Sequence, residues 1–305
     1  MGTAPRGGPV VVEVDGSPES LRVIEYASIE AQRTGAGLLL VRPYHAHTTH
    51  SPLTPLYEPG DPHTVAEADL EIAVEQVRRQ VGFAVTVTTA AREGAGLQVL
   101  ARAARSARLV VVGRHRAKGP HRVVTAQRDL NLAAMVACPL VVVPTGWRAT
   151  TADRSVYVGV DGSGSSTDAV GFAFATASGR RGHVVVVHSD NGPVRKVVQD
   201  DGVTWATSAQ RTVAETLAGW GERYPDVKVT RLVTGRSATD ALVGASPHAG
   251  LIVIGAQAGR LPHDPVTRHV LAAASCPVAV VTHEPTSIER RRARSAGTDV
   301  VVPTY

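Results

Sequence analysis

Two aspartates stand where this chain could do chemistry. Asp15 follows an apolar run in VVVEVDGSPES (Val10–Ser20), and Asp161 follows another in VYVGVDGSGSS (Val156–Ser166). A carboxylate at such a strand end accepts hydrogen bonds from a ligand. The same Asp-Gly-Ser also makes a plain turn with a helix cap, and both readings stay open. Gly113 in VVVG and Gly255 in IVIG end two further runs. A glycine there lets backbone N–H groups approach an anion closely. Arg114, Arg116 and Lys118 either attract that anion or form an ordinary exposed basic loop. His45, His47, His50 and His63 share one stretch without the fixed spacing of a ligand set, so they read as polar loop residues rather than a metal site. GxxxxGK[ST], HExxH, GxSxG and a closed GxGxxG are all absent, and no nucleophile is paired with a base. The sequence does not argue for catalysis.

These residues need elements to position them, and the elements come twice. Asp15 returns as Asp161, Gly113 as Gly255, and Cys138-Pro139 as Cys276-Pro277, always in the same order. Such self-similarity marks a tandem pair, with its boundary near TGWRATTADRS (Thr145–Ser155). In the first half the strands fall at Val10–Val14, Leu38–Arg42, Ala84–Thr88, Leu109–Val112 and Leu140–Val143. Ser17-Pro18-Glu19 supplies a cap, a first-turn proline and an early acid for a helix reaching about Arg33. Leu70, Val74, Val77 and Val81 fall on one helical face, and Trp205, Ala209, Val213, Leu217 and Trp220 form the matching stripe. The tryptophans in it read as packing. The Pro-rich stretch Pro43–His63 reads as a long loop at the mouth of the first half.

Continuous β-branched runs between helices mean parallel strands covered on both faces. The fold class is α/β, with two tandem Rossmann-like domains at 1–146 and 153–284 and a basic tail at 285–305. Ligands in such sheets bind beyond the carboxyl ends of the strands, where the winding reverses. The chain has 305 residues and a net charge of +5, with four arginines in the tail ERRRARS. That charge, without a helix-turn-helix or zinc-finger pattern, makes nucleic acid a disfavoured partner, read only through Arg290–Arg294. No apolar run is long enough for a membrane span, and MGTAPRGGP has no signal-peptide core, so the expected location is cytoplasmic. Cys138 and Cys276 read as buried thiols of a reducing compartment.

VDGSPES, the second strand LLLVRPY, EGAGLQVL, LVVVG and ACPLVVV, in this order and repeated, resemble the universal stress protein family. The likeness spans about Val10–Val143 and Ser155–Val281. It implies five-stranded sheets of order 3-2-1-4-5 and, in some members, bound ATP. The ATP pattern is G-x-x-G, nine residues, then G-[ST], cradling phosphates, while the aspartate and the backbone after the second strand meet the adenosine. Carried onto this chain, the first half keeps Asp15 and Gly113, but Arg116 stands at the second glycine, Ala126-Gln127 at the G-[ST] pair, and Pro43 at the adenine-facing position, where it has no N–H. The second half keeps Asp161, Ser189 and Gly255. Ala258 replaces the second glycine, Gly259 comes one residue late, and Asp264-Pro265 stands at the G-[ST] pair, followed by Val266 and Thr267. A carboxylate at Asp264 repels a triphosphate, at about 4 kcal/mol for unit charges about 4 Å apart. Thr267 offers a hydroxyl, and the helix after Pro265 offers its positive end.

The resemblance implies a non-catalytic stress-response sensor or scaffold with degenerate nucleotide sites. The alternative is an ATP-binding switch or slow ATPase acting through the second domain, with ATP as the cofactor. Fifth-strand pairing of Val141–Val143 with Ala279–Val281 would make a pseudo-dimer within one chain, and a homodimer or an unidentified protein partner is the other association it allows.

Overall fold

The computed structural model describes residues 7–45, 61–114, 121–149, 154–189, 208–257 and 260–283. The first half runs β1 (Val10–Glu13), α1 (Ser20–Thr34), β2 (Leu38–Tyr44), α2 (Pro62–Val81), β3 (Val87–Glu93), α3 (Gly96–Ala103), β4 (Leu109–Gly113), α4 (His121–Met135) and β5 (Leu140–Val143). Its sheet is parallel, in the order β3-β2-β1-β4-β5. Val10–Val12 and Val110–Val112 are buried without alternation, as a sheet covered on both faces requires. Helices α1 and α2 pack against one another, as successive right-handed crossovers in one direction along a sheet require.

The second half runs β6 (Ser155–Val160), α5 (Gly164–Gly179), β7 (His183–Ser189), α6 (Ser208–Leu217), α7 (Trp220–Arg223), β8 (Lys228–Thr234), α8 (Ala238–Ala245), β9 (Leu251–Gln257), α9 (Pro265–Ala273) and β10 (Val278–His283). Its parallel order, β8-β7-β6-β9-β10, is again 3-2-1-4-5 within the half. The chain forms two compact units, Pro5–Arg116 with Met135–Arg148, and Ala149–Tyr305 with Ala117–Ala134. Helix α4 thus groups largely with the second unit, where the Gln127 side-chain amide donates to the Pro262 carbonyl at 2.9 Å.

Three local readings shift. The third strand begins at Val87 and runs into Thr-Thr-Ala-Ala-Arg-Glu, because among the described residues β3 pairs with β2 alone and its outer positions stay wet. Helix α1 starts at Ser20, after the turn that Ser17 closes by accepting the Ser20 N–H at 3.3 Å. The buried stripe of α2 is Ala66, Leu70, Ala73 and Val77, with Val74 and Val81 half-buried. Asp61 caps α2 by accepting the N–H groups of His63 and Thr64. Most of the Pro43–His63 stretch, with His47 and His50, lies outside the described residues, as do Trp205 and the tail. Trp220 stacks on Phe174 at 5.8 Å, which is packing. Both cysteines are buried, and neither is in a disulfide.

Candidate functional site

In each half the winding reverses between the first and fourth strands, so their ends open one crevice. The first-half register pairs Val12 with Val111 and Glu13 with Val41. Continued past the strand ends, it sets Asp15 level with Arg114 on one side and Pro43 on the other. Gly16 turns the chain at φ 75°, and Asp15 Oδ1 accepts the Ser17 N–H at 2.9 Å and the Ser17 hydroxyl at 2.6 Å. The turn reading therefore holds, and it also holds the carboxylate still. The resulting cavity of about 210 Å³ is lined by Glu13, Asp15, Ser17, Glu19, Ser20, Val23, Gly113 and Arg114. A Cβ on Gly113 would stand 2.9 Å from a Val23 methyl, the mobile end of a side chain.

The second half builds the same corner differently. Asp161 Oδ1 accepts the Ser163 N–H at 2.9 Å and the hydroxyls of Ser163 and Ser166 at 2.6 Å each, while its own N–H donates to Ser166 Oγ at 3.0 Å. Burial pushes this carboxyl up, but the bonds from Ser163 and Ser166 and from the backbone outweigh it and hold it below the usual carboxylate range. Among the described residues these bonds all fall on Oδ1, leaving Oδ2 unengaged. Val160 pairs with His188, so Asp161 and Ser189 sit side by side at adjoining strand ends. The Ser189 hydroxyl is turned to the β8 side and donates to the Arg236 carbonyl at 2.6 Å.

Gly255 does not face an open loop. A Cβ there would lie 2.1 Å from the Ser165 carbonyl oxygen, so the missing side chain seats the first turn of α5 on β9. Helix α5 begins at Gly164, three residues after its aspartate, whereas α1 begins at Ser20, five after Asp15. That difference sets backbone against Gly255 and only a valine methyl against Gly113.

At the phosphate end the structure places a carboxylate where the sequence reading set an anion. Asp264 Oδ1 accepts the Val266 N–H at 3.0 Å and the Thr267 N–H at 3.4 Å, and Oδ2 accepts the Thr267 hydroxyl at 2.6 Å. Thr267 is fully buried. Its hydroxyl and the positive end of α9, offered above to a phosphate, are thus both engaged by Asp264. Gly259 lies outside the described residues. The structure brings together Asp161, Ser189 and Gly255 at one corner, and Asp15 and Gly113 at the other. The Asp-Pro-x-Thr spacing at a helix start could have signalled this cap. Nothing in the sequence marked Ser20, whose buried hydroxyl has no partner among the described residues.

No group of three or more His, Cys, Asp or Glu among the described residues can hold a metal ion. No helix among them is long and apolar enough to cross a membrane.

The model of the universal stress protein family matches residues 8–144 and again 154–282. The chain belongs to the universal stress protein family. A universal stress protein of Mycolicibacterium smegmatis is 31% identical over 292 residues, covering 89% of this chain and 96% of that one. One from Mycobacterium tuberculosis is 30% identical over 261 residues, covering 81% and 86%. The crystal structure of a universal stress protein from Archaeoglobus fulgidus superposes with a TM-score of 0.65 at 13% identity, covering 92% of this chain and 99% of that one. At that identity the likeness carries the fold. As a tandem universal stress protein, the chain has two family domains of similar topology whose crevices are built unequally.

Proposed function

We propose that this tandem universal stress protein is a non-catalytic cytoplasmic sensor or scaffold of the stress response, and that its second-half nucleotide grip has been taken over by its own carboxylate. The single observation behind this reading is Asp264. A phosphate at the start of α9 would need the Val266 and Thr267 N–H groups and the Thr267 hydroxyl, and Asp264 holds all three. Displacing it costs those bonds and adds like-charge repulsion. Among the described residues, the carboxylates of Glu13, Asp15 and Glu19 line the first-half crevice beside the Arg114 guanidinium, and three carboxylates there weigh against a triphosphate.

Calorimetric titration of the full chain with MgATP tests the reading. No saturable heat at about millimolar ligand is expected. Binding far below millimolar would sink it. The adjoining Asp161 and Ser189, with Asp161 Oδ2 unengaged, favour the second reading, an ATP-binding switch or slow ATPase in the second half. That reading requires Asp161→Ala to abolish any binding and any release of inorganic phosphate.

A further inference from the structure

We propose that the outer face of α2 is a self-association surface, on which two copies of this chain pair their α2 helices antiparallel. Among the described residues seven large apolar side chains are exposed, and three of them belong to α2 and the turn that closes it: Val65 at 47%, Ile72 at 60% and Phe83 at 88%. Val65 and Ile72 stand about two helical turns apart on the same face. Ala68 lies between them and is exposed as well. The buried stripe of Ala66, Leu70, Ala73 and Val77 seats the other side of the helix in its domain. Helix α2 thus carries apolar residues on two faces, and its own domain covers one.

The charges on the helix select the partner. Glu67, Glu71 and Glu75 follow one another along one flank, and Arg78 joins that flank beside Arg79 in the last turn. A second copy laid parallel would set each glutamate against its own image. Laid antiparallel about a two-fold axis beside Ile72, which lies at the middle of the 20-residue helix, the same sequence sets Glu67 opposite the partner's Arg78. The face is therefore complementary to itself in one orientation. Arg78 donates to the Gly82 carbonyl at 3.2 Å and lies 4.3 Å over the Phe83 ring. That contact holds the exposed ring at the helix end, where an antiparallel partner brings its Val65, and a guanidinium keeps further N–H groups for a carboxylate. The pairs within the helix, His63–Glu67 at 3.6 Å and Glu75–Arg79 at 2.9 Å, are exposed and worth little, so they yield readily to intermolecular ones. This inference concerns a surface and does not depend on whether either crevice holds a nucleotide.

Sedimentation equilibrium of the full chain tests the assignment. A dimer with a dissociation constant between about 1 and 100 µM is expected. Ile72→Glu should weaken it at least about tenfold while melting within a few degrees of the parent, because the position is exposed in the single chain. Glu67→Arg and Arg78→Glu should each weaken it about fivefold or more. The double variant Glu67→Arg/Arg78→Glu should return to within about twofold of the parent, since the pair is then restored with its signs exchanged. Leu232→Glu places the same charge on β8, at another exposed apolar side chain, and should leave the dimer unchanged. A monomer at about 200 µM, a dimer untouched by Ile72→Glu, a dimer lost in Leu232→Glu, or a double variant no better than the single ones would each overturn the assignment.

Discussion

Asp264 receives two N–H groups and a hydroxyl at the head of α9, and the energetic worth of such a cap is about 1–2 kcal/mol. Asp264→Ala should lower unfolding stability by that amount, read from a urea titration at neutral pH. A change below about 0.3 kcal/mol would mean that the helix end is satisfied by other means. Asp161 gives a second residue-scale expectation through pH. Its folded pKa lies below the usual value of 3.8, so its stabilising contribution is complete above that value. It is lost as pH falls through the lower folded value. Asp161→Asn should therefore lose stability at pH 7, where that contribution is complete, and converge on the parent below about pH 4, which flattens the acid limb of the stability curve. An unchanged acid limb in the variant would contradict the assignment. Both aspartates were visible in the sequence, and Asp15 and Asp161 were placed correctly at strand ends. The function of Asp264 as a cap was harder to see, because capping and phosphate binding draw on the same backbone donors.

At the scale of elements, two glycines at equivalent positions carry different loads. A Cβ at Gly255 would meet helix backbone at 2.1 Å, whereas one at Gly113 would meet a valine methyl at 2.9 Å. Backbone cannot step aside as a rotamer can. Gly255→Ala is expected to destabilise by roughly 1–3 kcal/mol and Gly113→Ala by less than about 1 kcal/mol. Equal costs, measured by chemical denaturation of the two variants, would show that α5 and α1 sit on their sheets alike. The parallel strands and the helices between them were readable from β-branched runs and turn residues, whereas the strand order followed from the family resemblance. The third strand was read too early because its apolar start, Val85, is buried ahead of the pairing, while the paired stretch is polar on its exposed edge. The later start of α1 was not readable, since Ser17-Pro18-Glu19 suits both a first helical turn and the separate turn that precedes one.

For the whole molecule, the duplication was legible because motif order survives even where motif residues do not. The cavity composition, by contrast, could not be read from sequence, because Glu13, Glu19 and Ser20 acquire a shared meaning only once β1, α1 and β4 meet at one corner.

Cys138 and Cys276 are the chain's two thiols, each 4% exposed and each just ahead of its domain's fifth strand. A bulky thiol reagent can reach them only when that stretch opens, so labelling rate becomes a clock for local breathing. Single Cys→Ser variants would separate the clocks, one sulfur per domain. The duplicated fold thus carries its own pair of chemical reporters, able to say which half loosens first when a ligand, a denaturant or a change of acidity is applied.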